Sequence, residues 1–211
     1  MRRICLLCIC MMCMLCISGG ARNRAMKDVF INMPDSLMPM IGENARKDLV
    51  DFVEYKMKAV VDNEWGGHTT LSSLSASCLT LQEDAQGSVT TQMGLLVKGA
   101  DTLICMVRTL NVPQPDSEIL FYTMDWKPLN ADKFFSFPRL KDFTLGTASY
   151  TAVGSPEYMQ ITILEQAAGP LKLQVSLRLD DNIADESAVS RPADVPTLNY
   201  QWSGTKFTLI Q

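Results

Sequence analysis

From about Glu43 to Val61, Leu49, Phe52, Val53, Tyr55, Met57 and Val60 fall mostly on one side of a helix, with Arg46, Lys47, Asp51, Glu54 and Lys58 on the other. That spacing predicts the strongest helix of the chain. Before it, Val29, Phe30 and Ile31 form an apolar knot. Asn32-Met33-Pro34-Asp35 then resembles a helix start, interrupted early by Pro39 and Gly42. Trp65-Gly66-Gly67-His68 ends the strong helix and turns the chain. From Leu71 the period changes to two.

Ser77–Gln82 reads as a short strand. Val89, Thr91, Met93, Leu95 and Val97 alternate with Thr90, Gln92, Gly94, Leu96 and Lys98. After the turn Gly99-Ala100-Asp101, Leu103, Cys105 and Val107 alternate with Ile104, Met106 and Arg108. Pro113 and Pro115 lead into Leu120, Tyr122, Met124 and Trp126. Short links make these four strands antiparallel. Residues 130–143 predict a short helix broken by Pro138. Strands resume at Ser149–Val153, Tyr158–Glu165 and Leu171–Leu179, where Lys172, Gln174, Ser176 and Arg178 alternate with leucine and valine. Leu198, Tyr200 and Trp202 follow, and Ser203-Gly204-Thr205 turns into Lys206–Leu209.

Each half then reads as a helix followed by four strands, ending on a Tyr and a Trp: Tyr122 and Trp126, then Tyr200 and Trp202. The expected fold class is α+β, with two helix-plus-four-strand units forming one curved antiparallel sheet and helices on one face. The expected divisions are 1–21, 22–129 and 130–211, the last two forming one compact domain. Asp180–Pro196 is the extra loop of the second unit. This plan resembles the β-lactamase-inhibitor-protein-like architecture, a binding scaffold. It leaves one sheet face open and polar, on which Thr90, Gln92, Lys172, Gln174 and Arg178 are the candidate contact residues.

The first 21 residues describe a destination. Arg2 and Arg3 precede an uncharged run from Ile4 to Ile17, then Ser18, Gly19, Gly20 and Ala21. This is the pattern of a secretory signal cleaved near Ala21, and the run is shorter than the roughly 20 apolar residues of a membrane span. The expectation is a periplasmic or secreted protein beginning near Arg22. Residues 22–211 then carry 17 basic and 23 acidic side chains, a net charge of −6. Phosphate contacts need Lys and Arg in excess, so no nucleic acid is expected as a partner.

Five of the seven cysteines leave with the signal, and Leu15 before Cys16 argues against lipidation. Cys78 and Cys105 remain. In an exported protein a pair of cysteines invites a disulfide. Here they lie on strands two apart, about 9–10 Å at the usual strand spacing, beyond the ~7 Å limit for bridging. Two buried free thiols are expected.

Chemical motifs are sparse. There is one histidine, His68, and no Gly-x-Ser-x-Gly or phosphate-cradling loop. One His and two separated cysteines do not supply a zinc site. Neither metal nor cofactor is expected. Asp180, Asp181, Asn182, Asp185 and Glu186 lack the spacing and central glycine of an EF-hand, and Trp65, Trp126 and Trp202 are better read as packing than as a sugar platform.

Met26-Lys27-Asp28-Val29-Phe30-Ile31-Asn32-Met33-Pro34-Asp35-Ser36-Leu37, Arg46–Lys58, Ile104–Val107 and Phe121–Trp126 together resemble an uncharacterised family of exported proteins of Bacteroidales, a domain of unknown function. The resemblance implies a Gram-negative envelope location and supplies no catalytic residues. The function expected is that of an exported non-catalytic binding protein whose partner is another envelope protein. The alternatives are a hydrolase acting on envelope glycans, with Asp125 and Glu157 as carboxylates, and a chaperone-like component that recognises strands through its edges.

Overall fold

The computed structural model describes residues 25–84, 88–139, 142–143, 158–166, 169–178 and 197–210. Two helices come first, α1 (Met26–Ile31) and α2 (Glu43–Glu54), separated by a 3-10 turn at Asp35–Leu37. Seven strands follow: β1 (Val60–Asp62), β2 (His68–Leu74), β3 (Cys78–Glu83), β4 (Val89–Lys98), β5 (Asp101–Leu110), β6 (Asp116–Thr123) and β7 (Pro128–Leu129). They form one antiparallel meander in chain order. A second 3-10 turn (Ala131–Lys133) precedes β8 (Tyr158–Leu164), β9 (Lys172–Arg178), β10 (Thr197–Trp202) and β11 (Phe207–Ile210). These make a separate antiparallel sheet, ordered β11-β10-β9-β8.

The architecture is α+β and antiparallel, but among the described residues two sheets of seven and four strands replace the single curved sheet of two equal units. The reason lies in β5. Leu103, Ile104, Cys105, Met106 and Val107 are five consecutive buried residues, so this strand has no polar face to offer water. Ile104 and Met106 join Leu79, Leu81 and Met93 under the helices. Cys105 and Val107 join Cys78, Leu96, Ile119 and Phe121 against Ile161, Leu173, Val175 and Trp202 of the second sheet. Helices, seven-stranded sheet and four-stranded sheet are thus three layers with two apolar seams. The face expected to be open on the first sheet is one of those seams.

The seam between the sheets is keyed at Gly94. Its register neighbours are Cys78 on β3 and Cys105 on β5, and a Cβ there would stand 2.6 Å from Leu171 Cδ2. The glycine makes the dent that Leu171 fills, and both cysteines are buried free thiols on either side of it. Trp202 closes one end by donating its indole N–H to the Val97 carbonyl at 2.7 Å.

Several boundaries differ from expectation. Asn32 caps the end of α1 instead of starting a helix. α2 stops at Glu54, because Lys56 turns left-handed (φ 58°) and Met57 N–H bonds back to the Phe52 carbonyl, a Schellman-type stop. Val60 is therefore free to start β1. Of the helix expected at 130–143, the described residues form the 3-10 turn capped by Asn130 and a further 3-10 position at Asp142, whose N–H bonds to the Arg139 carbonyl; between them Phe134 and Phe135 enter the inter-sheet core. The strand expected at Ser149–Val153, the loop Asp180–Pro196 and the leader 1–21 lie outside the described residues.

Arg46, expected on the solvent side of α2, is 1% exposed. Its guanidinium donates to the carbonyls of Met33 at 2.6 Å and Ile41 at 2.8 Å, to that of Ile31 at 3.4 Å, and to Asp35 Oδ1 at 2.9 Å. The segment between α1 and α2 has little regular pairing of its own, and Arg46 supplies the donors its buried carbonyls need.

Candidate interaction surface

Among the described residues, the second sheet is covered on one side only. Its inner residues, Ile161, Ile163, Leu173, Val175, Leu177 and Tyr200, are buried against the first sheet. The alternate positions form cross-strand rows on the other side: Gln160, Ser176 and Thr197; Thr162, Gln174, Asn199 and Ile210; Leu164, Lys172, Gln201 and Thr208. Thr197 and Thr208 are exposed and the rest half-buried. Gln174 Nε2 reaches Asn199 Oδ1 at 3.5 Å. The face is mostly amides and hydroxyls with one lysine, and it carries Leu164 and Ile210 at its margins.

The candidate contact residues do not come together. Lys172 and Gln174 lie on this outer face. Arg178 ends β9 opposite Tyr158. Gln92 and Thr90 are elsewhere, on the side of β4 that meets the second sheet. Gln92 Oε1 accepts the Ile163 N–H at 3.0 Å, and its Nε2 donates to the Ile163 carbonyl at 3.5 Å. Asp116 Oδ1 accepts from Met159 N–H at 3.2 Å and Ser117 Oγ from Ile161 N–H at 2.9 Å. Three side chains thus seal the outer edge of β8, which would otherwise present open backbone donors. Thr90 accepts a hydrogen bond from Asn111 Nδ2 at 3.0 Å. A polar residue at an alternate strand position signals solvent only where that face meets solvent, and β4 has no such face at Gln92.

At the opposite edge stands β11. Alongside it a groove of about 570 Å³ is lined by Phe137, Pro138, Leu198, Tyr200, Phe207 and Leu209, with Lys206 and Asp142 as its charged groups. Phe135 packs edge-on to Phe137 at 5.2 Å and to Tyr200 at 5.1 Å. Burial, with Asp142 nearby, pushes the Tyr200 phenol above its usual pKa. Phe137 is 48% and Leu209 56% exposed, among the larger exposed apolar side chains. The signal that could have located this groove was Phe134-Phe135-Ser136-Phe137-Pro138, three aromatics beside a helix breaker.

No enzyme-like constellation assembles among the described residues. His68 starts β2, is largely exposed, and contacts Asp62 Oδ1 at 2.9 Å. Burial pushes the Cys78 thiol up to about 11 and Cys105 higher still, which keeps both protonated and unreactive at neutral pH. Among the described residues no three His, Cys, Asp or Glu side chains could share a metal ion. Asp125 lies exposed in the β6–β7 turn, and Glu157 lies outside the described residues. Trp126 packs on Tyr122 under the helices and Trp202 sits between the sheets, while Trp65 is exposed, so the three tryptophans share no surface. No helix among the described residues is long and apolar enough to cross a membrane.

Over residues 20–207 the sequence matches a family defined as proteins of unknown function, DUF3256. The chain belongs to this family. Its fold is similar to the solved structure of a domain of an uncharacterised protein from Porphyromonas gingivalis W83, with 25% identity and a TM-score of 0.70. That likeness covers 88% of this chain and 98% of the other. No curated protein is significantly similar to this DUF3256 chain.

Proposed function

We propose that this DUF3256 protein is an exported, non-catalytic binding protein of the cell envelope, and that it engages another envelope protein through its second sheet. The observation that carries the reading is the asymmetry of the layers. The seven-stranded sheet has apolar seams on both sides. The four-stranded sheet keeps an outer face, mostly of amides and hydroxyls, that no described element covers. A regular, largely polar array of this kind suits protein recognition, in which many modest hydrogen bonds fix orientation. The basic start, apolar run and small residues of 1–21 support export. The buried thiols and exposed histidine support a non-catalytic role.

The reading is tested by replacing Lys172, Gln174 and Arg178 together with aspartate and comparing partner crosslinking in the native envelope with the unaltered protein. Loss of a specific crosslinked partner, with an unchanged urea midpoint, is expected. Retention of that partner overturns the face assignment.

A further inference from the structure

We propose that residues 25–58, which carry α1 and α2, form a unit that lifts from the seven-stranded sheet as one body while the two sheets stay packed together. The proposal is independent of the reading of the second sheet as the contact element.

The unit is tied together internally. Arg46 holds the carbonyls of Ile31, Met33 and Ile41 and the Asp35 carboxylate. Lys27 donates to Glu54 at 2.6 Å and so joins α1 to α2. Its ties to the sheet are fewer. Among the described residues two hydrogen bonds cross that boundary, from the Met26 N–H to the Ala76 carbonyl at 2.9 Å and from the Glu64 N–H to the Met40 carbonyl at 3.0 Å. No ion pair among the described residues crosses it. The link to β1 runs through Tyr55, Lys56, Met57 and Lys58, all exposed, which leaves it free to act as a hinge.

The two apolar seams differ in the same sense. Between the sheets the polar side chains are paired: the Trp202 indole with the Val97 carbonyl, Thr109 with Ser117, and Gln92 with Ile163. Under the helices Thr69 Oγ1, Thr91 Oγ1 and the Trp126 indole nitrogen are buried without a partner. Register sets Thr69 opposite Val61 and Thr91 opposite Leu81, on the side that the helices cover. Glu83, 3% exposed, stands opposite Thr69 in the same corner. A fourth unpartnered group, Asn63 Nδ2, lies in the β1–β2 turn next to the Glu64–Met40 bond.

Packing follows the same division. Met26, Met33, Met38, Met93 and Met106 belong to the buried cluster under the helices, whereas the buried cluster between the sheets has no methionine among the described residues. Methionine fills gaps without fixing one arrangement, and an orphaned hydroxyl or indole regains its hydration when the seam opens. Both features make this seam the weaker of the two. Its opening uncovers Leu79, Leu81, Met93, Ile104 and Met106 on the sheet. Sub-global openings of this kind are how a fold carries a movable element on a stable base.

The test is native-state hydrogen exchange of residues 22–211, followed by NMR at increasing sub-denaturing urea. Amides of α2, such as those of Val50 and Val53, are expected to exchange through one shared opening. That exchange should be about tenfold or more faster than at the most protected amides of β5 and β9, with a smaller urea dependence. Ile161→Val, in the core between the sheets, is expected to speed exchange in β5 and β9 by about twofold to tenfold. It should leave α2 unchanged, because Ile161 stays packed when the layer lifts. Thr91→Val keeps the shape and removes an orphaned hydroxyl, and is expected to slow exchange in α2; Thr69→Val is the second variant should that one disturb folding. The proposal is overturned if α2 and β5 amides share one rate and one urea dependence, if Ile161→Val speeds α2 and β9 by the same factor, or if neither threonine variant slows exchange in α2.

Discussion

Replacing Arg46 with methionine tests the physical account of the N-terminal layer. The substitution keeps much of the side-chain volume and removes every donor. It leaves the carbonyls of Met33 and Ile41, bonded at 2.6 and 2.8 Å, without their partner, along with the longer contacts to Ile31. Each orphaned buried acceptor costs about 1–3 kcal/mol. Relief from burying the guanidinium charge offsets part of this, so we expect a net loss of about 2–5 kcal/mol from the orphaned carbonyls. Asp35 is the discriminating control. It also bonds Arg46, but its side chain is 69% exposed, and such pairs contribute about 0–1 kcal/mol. The assay is equilibrium urea unfolding of residues 22–211 with linear extrapolation. Arg46→Met is expected to lower the midpoint strongly with an unchanged slope, and Asp35→Ala to change it little. A loss below about 1 kcal/mol for Arg46→Met, or equal losses for both, would refute the claim that carbonyl satisfaction holds this segment.

Three further outcomes are expected. Gln92→Leu strips the Ile163 N–H and C=O of their partner and is expected to cost about 1–3 kcal/mol; a neutral result in the same urea assay would mean the β8 edge is not held this way. Glu83 is 3% exposed, and its burial raises the carboxyl pKa, with Arg108 only partly opposing. Because the folded state binds this proton more tightly than the unfolded state, stability is expected to fall as pH rises from the ordinary carboxylate range through the raised value. Glu83→Gln should flatten that fall, and a stability curve of unchanged shape would contradict it. Cys78 and Cys105 are expected to resist iodoacetamide at pH 8 in the folded protein and to react in 8 M urea (on the order of denaturant needed to expose the core), read by mass spectrometry; rapid labelling of the folded protein would refute their burial.

Much of the fold was legible because it rests on local period. The helical side of Leu49 and the alternation through β3–β6 and β8–β10 follow from side-chain spacing alone. The layering was harder to read. In β5, Leu103 to Val107 fits an alternation with one outward face, yet an unbroken apolar run means two buried faces. Arg46 occupies a position that helical spacing assigns to water, and only the carbonyls of a distant irregular segment explain its burial. The same logic separates Gln92 from Gln174. Both are amides at alternate strand positions, yet one brackets a strand edge and the other lies on an outer face. Pattern shows that a residue is polar, and the neighbouring layer decides whether that polarity is spent inside.

The central claim, that the second sheet is the contact element, is tested most directly by site-specific photocrosslinking in the native cell envelope. A photoreactive side chain would be placed at Gln174 on the outer sheet face and, as a control, at Asp48 on α2. The account predicts a discrete adduct from position 174 and none from position 48. Adducts from position 48 alone, or none from either, would contradict it.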